Sequence, residues 1–218
     1  GQLAMMSIAS MEPLLPEDPG VLERARAVHA AADRLGRHLH PITLAAIADL
    51  LRTVNCYYSN LIEGHDTHPI DIERAMRAEY APQMAARNLQ VEARAHIEVQ
   101  VLMEESLAAD PGRNVCAPDF LRWLHREFYL RLPEAFRVVR NPDTGRQKPV
   151  VPGAFRHHEV MVGRHIGPQH DEVAECLARV GEVYDPARHA GPAALVALAA
   201  AHHRVLWVHP FGDGNGRV

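Results

Sequence analysis

Proline placement constrains this chain more than any other feature of its sequence. A proline lacks an N–H and holds φ near −65°, so it suits the first turn of a helix and breaks one almost anywhere else. Pro19, Pro41, Pro69, Pro82, Pro118, Pro168 and Pro192 each stand at the head of a stretch whose apolar residues recur at helical spacing. The first block, opened by Asp18-Pro19, aligns Val21, Leu22, Ala25, Val28, Ala32 and Leu35 along one side. The second runs from Ile42 to about Glu63, and Gly64 is placed to take the left-handed conformation beyond the helix end. A short third helix is predicted from Pro69 through Met76 and a long fourth from Pro82 to about Ala109. A fifth runs from Pro118 to about Arg131, with Phe120, Leu121, Leu124, Phe128 and Leu132 on one side. Two more are predicted from Pro168 to about Val183 and from Pro192 to about Val208.

Only one segment reads as β. Glu159-Val160-Met161-Val162-Gly163 is short, partly β-branched and bounded by glycine. Arg140 to Gly153, with its Asn-Pro-Asp-Thr-Gly run, reads as loop. The fold class expected is therefore all-α with one small β-hairpin. With 218 residues, 47% of them hydrophobic, a sizeable core can form.

Several function classes drop out on composition. A formal net charge of −4 leaves no basic footprint for nucleic acid or an anionic membrane. Cys56, Cys116 and Cys176 are scattered, which reads as reduced thiols rather than a disulfide framework. The apolar start, Gly1 to Met11, has no basic region or cleavage-like site, so it does not read as a signal peptide; Gly1-Gln2-Leu3-Ala4 is set aside as a cloning remnant. The longest apolar run, Ala193 to Ala201, is too short to span a bilayer. A soluble cytoplasmic protein is expected. His157-His158, His165, His170 and His202-His203 come without cysteines, and adjacent helical histidines point to different faces, so they read as surface or core residues. Trp123 reads as core, and Glu104-Glu105 as a solvated helix face.

The chemistry concentrates after the last helix, in His209-Pro210-Phe211-Gly212-Asp213-Gly214-Asn215-Gly216-Arg217. Glycines let a backbone approach phosphate closely, and N–H groups at a helix start bind anions. A carboxylate can hold Mg²⁺, which takes few protein oxygens beside substrate phosphates. Arg217 offers a planar fork for phosphate oxygens, and an imidazole is the natural general base near neutral pH.

This segment resembles the signature of the Fic/Doc family, H-x-F-x-[DE]-G-N-G-R-x-x-R, at every fixed position through the first arginine. The resemblance implies a protein adenylyltransferase. His209 would take the proton of a Ser, Thr or Tyr hydroxyl attacking the α-phosphorus of ATP, and Asp213 would hold Mg²⁺. Gly214, Asn215, Gly216 and Arg217 would form the anion hole, and Phe211 would anchor the loop in the core. Gly153-Ala154-Phe155-Arg156 followed by Val160-Met161-Val162-Gly163 and Arg164 to Pro168 resembles the family's flap, which covers the nucleotide and aligns a target by strand addition.

Ser59-Asn60-Leu61-Ile62-Glu63-Gly64 resembles the inhibitory motif [ST]-x-x-x-E-[GN]. Ser59 and Glu63 share a helix face. The resemblance implies that Glu63 enters the anion hole, pairs with the second motif arginine and blocks productive placement of the γ-phosphate. That arginine would follow Val218, so a longer parent chain is expected. The implied division is an N-terminal helical extension over 1–65 and a Fic core over 66–218 that breaks off within the motif. The partners implied are ATP and a target protein with an acceptor hydroxyl; a second copy of the chain is left open, and neither nucleic acid nor membrane is indicated. Phosphocholine transfer, phosphate transfer and AMP removal remain alternatives on the same scaffold, as does a non-catalytic binding module.

Overall fold

The computed structural model describes residues 8–140 and 145–218. Among the described residues seven α-helices follow in chain order: α1 (Pro19–His38), α2 (Pro41–Ile62), α3 (Pro69–Met76), α4 (Met84–Ala109), α5 (Pro118–Leu130), α6 (Val173–Val183) and α7 (Pro192–Val208). Five of them begin on the proline that the sequence reading picked out. The local capping explains the fit. Asp18 Oδ1 accepts the Gly20 N–H at 2.8 Å at the head of α1, and His40 Nδ1 accepts that of Ile42 at 3.2 Å at the head of α2.

Two helices start later than their prolines because other groups take the backbone first. The Gln90 side chain accepts the Ala81 N–H at 2.7 Å and donates to the carbonyls of Asp71 and Glu79, which holds the segment before α4 out of helix. The Pro168 carbonyl accepts from Arg156 Nη2 at 2.6 Å, so α6 begins only at Val173.

The chain divides into two compact units. The first comprises Gly1–His38, Gly112–Trp123 and Gly153–Asn215; the second comprises Leu39–Pro111, Leu124–Pro152 and Gly216–Val218. In the first, α7 packs against α1 and α6, and Val173, Leu177, Val180, Val208 and Phe211 are fully buried. It carries the flap-like hairpin, β3 (Met161–Val162) antiparallel to β4 (His165–Ile166). In the second, α4 packs against α2 and α3 over Cys56, Ile72, Ala93 and Ile97.

A further ladder lies where loop was expected: β1 (Val138–Arg140) pairs antiparallel with β2 (Gln147–Pro149). Its second strand is exposed throughout and has no apolar alternation to betray it. The Asn141 to Thr144 part of that loop, and residues 1–7 of the apolar start, lie outside the described residues. The apolar stripe of α1 is half-buried only near its start; Val28 and Leu35 are 60% and 62% exposed. Glu104 is not merely solvated either. Both its oxygens accept from Arg52 of α2, the Oε1–Nε bond at 2.9 Å, while Glu105 is exposed. Cys56, Cys116 and Cys176 are free thiols and buried. Among the described residues no helix is long and apolar enough to cross a membrane.

α2 ends in a double backbone cap. The Gly64 N–H donates to Leu61 O at 3.0 Å and the His65 N–H to Asn60 O at 2.7 Å, with Gly64 at φ +81°. A Cβ on Gly64 would meet no atom within 4 Å, so only the backbone conformation demands glycine. Gly64→Ala is expected to lower stability by about 1–2 kcal/mol, and Gly64→Asn by less. Denaturant midpoints measure this, and equal midpoints for the three proteins would contradict the left-handed cap.

Candidate active site

α7 stops at Val208 because His209 precedes a proline, which disfavours helical backbone at His209 and offers no N–H of its own. His209 turns left-handed, at φ 50° and ψ 62°, and caps the helix through its N–H on Val205 O at 3.0 Å. Histidine adopts this region more readily than most residues, yet it carries strain that the surroundings must hold. Arg156 does the holding. Its side chain is wholly buried, and it donates to the carbonyls of His209 (2.8 Å), His158 (2.9 Å), Pro168 (2.6 Å) and Val208 (3.2 Å). The Arg156 N–H also donates to Pro210 O at 2.9 Å.

Burial, and then the Arg156 charge, push the His209 imidazole below its ordinary value, against weaker opposite pulls from a backbone hydrogen bond and Asp213. His209 is therefore held in the neutral, proton-accepting form around pH 7.

The loop that follows is closed by Asn215. Its Oδ1 accepts the Phe211 N–H at 2.9 Å and its Nδ2 donates to Phe211 O at 3.0 Å. The amide thus brackets Phe211 and shapes the loop. Phe211 is fully buried and packs on Phe155 at 5.7 Å between ring centroids. Gly214 sits at φ +75°, which a side chain would resist. Asp213 is half-buried on this loop. Among the described residues no group of three or more acidic, histidine or cysteine side chains could hold a metal, so Asp213 offers a single carboxylate. That donor set suits Mg²⁺ carried on phosphates and would not suit a cation needing a full protein cage.

In the flap, Met161 pairs with Ile166 and Val162 with His165 around a Gly163-Arg164 turn, where Gly163 takes φ +60°. Val160 O accepts the Gly167 N–H at 3.1 Å. Met161 and Val162 are exposed at 71% and 47%. The second strand is fixed instead: the His165 ring nitrogen Nε2 bonds Trp207 O of α7 at 2.7 Å.

The last two motif residues lie in the second unit, with the end of α2. Glu63 Oε1 accepts the Gly216 N–H at 3.0 Å, and a Cβ on Gly216 would collide with that carboxylate. Ser59, half-buried one turn earlier, contributes its carbonyl to the Glu63 N–H. Arg217 is buried; its Nη1 donates to Glu92 Oε2 at 3.0 Å and its guanidinium lies over Phe128 at 5.1 Å. The same Glu92 oxygen bonds His65 Nδ1 at 2.7 Å. One turn along α4 from Glu92 lies His96, also buried, whose Nδ1 has no hydrogen-bond partner among the described residues.

Arg156, Glu92 and His65 were not legible as site residues from sequence. Arg156 was visible only as part of a flap-like run, and neither Glu92 nor His65 belongs to any motif.

A Fic/DOC family model matches residues 116–218, a span that leaves out Ser59 to Gly64. The protein adenylyltransferase Fic of Drosophila mojavensis is 30% identical over 95 residues, which is 44% of this chain and 19% of that protein. The protein adenylyltransferase Fic of Drosophila melanogaster is 38% identical over 75 residues, 34% of this chain and 15% of that protein. The chain thus spans less than a fifth of the length of these curated relatives. A Fic-domain-containing signaling protein from Bacteroides thetaiotaomicron superposes with TM-score 0.63 at 17% identity, covering 90% of this chain and 68% of that one. A Fic family protein from Desulfovibrio desulfuricans superposes with TM-score 0.64 at 17% identity, covering 94% and 56%. At such identity the likeness is one of fold.

Burial and the Arg217 charge push the His96 imidazole down to about 4, whereas an unfolded histidine titrates near 6.5. The unfolded chain therefore binds a proton that the folded one refuses. Stability is fully present above pH 6.5 and is lost as pH falls toward 4, by up to about 3 kcal/mol. His96→Gln should flatten the fall in melting temperature between about pH 7 and about pH 4.5. Parallel pH curves for mutant and wild type would refute this.

Proposed function

From the match of residues 116–218 to the Fic/DOC family model, we propose that this chain is the catalytic part of a protein adenylyltransferase restrained by Glu63. The observation that carries the reading is the seat of the Glu63 carboxylate on the Gly216 N–H, a donor the motif assigns to phosphate. A carboxylate there competes with an anionic ligand for the same hydrogen bond. Two unit charges about 4 Å apart repel by about 4 kcal/mol at an effective dielectric of 20, enough to decide whether triphosphate seats.

In the proposed reaction a Ser, Thr or Tyr hydroxyl oxygen bonds to the α-phosphorus of ATP, the bond to the β-phosphate oxygen breaks, and pyrophosphate leaves. His209 takes the hydroxyl proton, a task its lowered pKa prepares it for at neutral pH. Phe211 and Asn215 keep the loop in shape, and the Gly216 N–H would donate to a phosphate oxygen once Glu63 withdraws. Asp213 would hold Mg²⁺, which when bound offsets phosphate charge. The exposed Met161–Val162 strand suits backbone pairing with an extended target segment. ATP and a hydroxyl-bearing protein are the substrates in this reading, and the cytoplasm is the compartment.

His209→Ala in the full-length protein should abolish transfer while leaving ATP binding within about twofold, since a base acts in the transition state. For the wild type the acid limb of the rate profile should lie below the ordinary histidine value of 6.5, activity being lost only as pH falls through the lowered pKa. Asp213→Ala should remove most of the Mg²⁺ dependence of ATP binding in calorimetry. A mutant at position 209 that labels target at the wild-type rate would end the assignment.

Glu63→Gly should raise automodification with labelled ATP at least tenfold. Intact mass of the product should increase by one AMP; addition of phosphate or phosphocholine would name a different transfer. A well-folded, ATP-binding Glu63→Gly protein no more active than wild type would return Glu63 to an ordinary helix end.

A further inference from the structure

Glu63 is not the only tie between the end of α2 and the motif. On the neighbouring motif residue, Arg217 Nη1 donates to Glu92 Oε2, and that same oxygen bonds His65 Nδ1. Because the partner is a carboxylate, Nδ1 carries the proton and donates. His65 lies two residues after Glu63, and the double cap of α2 joins them into one turn: the Gly64 and His65 N–H groups are both fixed on the last carbonyls of the helix. The contacts close a ring that runs from Glu63 to Gly216, along the backbone to Arg217, then through Glu92 to His65 and back through Gly64.

We propose that His65 is a positioning residue that latches the Glu63 turn onto Glu92, so that inhibition depends on two ties and not on the Glu63 contact alone; this rests on the restrained-transferase reading given above. An arriving phosphate can compete for the Gly216 N–H, but the turn bearing Glu63 cannot swing away while His65 stays on Glu92. The Glu92 oxygen is already anchored by a buried arginine, which makes it a fixed post for the latch. His65 itself is about one-third exposed at its side chain, so it can be changed without opening the core. Glu92 is the worse target, because removing it would leave the buried Arg217 charge without this partner.

The experiment uses the full-length protein as wild type, His65→Ala, His65→Asn, Glu63→Gly and the double variant His65→Ala/Glu63→Gly. Each is read by automodification with labelled ATP, by calorimetric ATP affinity and by melting temperature. His65→Ala should raise automodification about fivefold or more and tighten ATP binding, where a merely structural defect would lower both. His65→Asn, whose amide nitrogen can replace Nδ1 as donor, should remain near wild type. In the Glu63→Gly background the His65→Ala change should add less than twofold, because the latch then has nothing to hold.

An active Glu63→Gly protein beside a His65→Ala protein that is folded and indistinguishable from wild type overturns the latch and leaves the transferase reading standing. So does a gain from His65→Ala that multiplies undiminished with that of Glu63→Gly. An inactive Glu63→Gly protein counts against the transferase reading itself. Should His65→Ala fail to fold, Glu92→Gln, which keeps an acceptor for Arg217 but weakens the hold on His65, must reproduce the gain for the proposal to survive.

Discussion

A buried guanidinium organises the half of the motif that bears His209. Arg156 has no exposed side-chain surface, yet it reaches carbonyls at the end of α7, beside the flap and at the head of the segment leading to α6. A charge in that setting is tolerable only because every direction it points supplies an oxygen. The same bonds fix the left-handed turn at His209, delay the start of α6, and contribute to keeping the imidazole uncharged. Backbone strain, helix boundary and proton affinity therefore trace to one side chain. Lysine would carry the charge but not the planar fork, and could not serve these carbonyls together.

In the second unit the corresponding element is a set of carboxylates rather than a cation. Glu63 and Glu92 meet two consecutive motif residues, one through a backbone N–H and the other through a guanidinium. The first contact occupies the N–H proposed above for phosphate, and the second lies in a nearly buried ion pair stacked on Phe128. These differ in kind. A carboxylate on a lone N–H can be exchanged for another anion, whereas a desolvated ion pair over an aromatic ring resists exchange.

How far the sequence spoke depends on whether a feature is local. Prolines 19, 41, 69, 118 and 192 begin their helices because N1 placement is decided within a few residues. Pro82 and Pro168 mislead because the Gln90 and Arg156 side chains, beyond the few residues that decide N1 placement, take backbone groups beside those prolines. Gly64 was readable as a cap for the same local reason that Asn215 was not readable as a loop bracket: the first needs only a positive φ, the second a particular folded loop. His209, Asp213 and Glu63 could be picked out because motifs name them. Arg156, Glu92 and His65 could not, since their partners are brought near only by packing. The stripe on α1 misled in another way, since periodicity announces an apolar face but cannot say how far along the helix a partner extends.

The left-handed backbone at His209 narrows what that position can become. Asparagine would settle into φ 50° with little penalty but has no proton affinity to offer. Glutamate or lysine could exchange a proton, yet neither favours that backbone, and burial beside Arg156 would reset either one's charge. For the proton-accepting role proposed for His209, two independent filters, one conformational and one chemical, thus overlap on a single side chain. A drift in either, such as a flap rearrangement that frees the His209 carbonyl, would relax the first filter and open the site to replacements that keep the fold and abandon the chemistry.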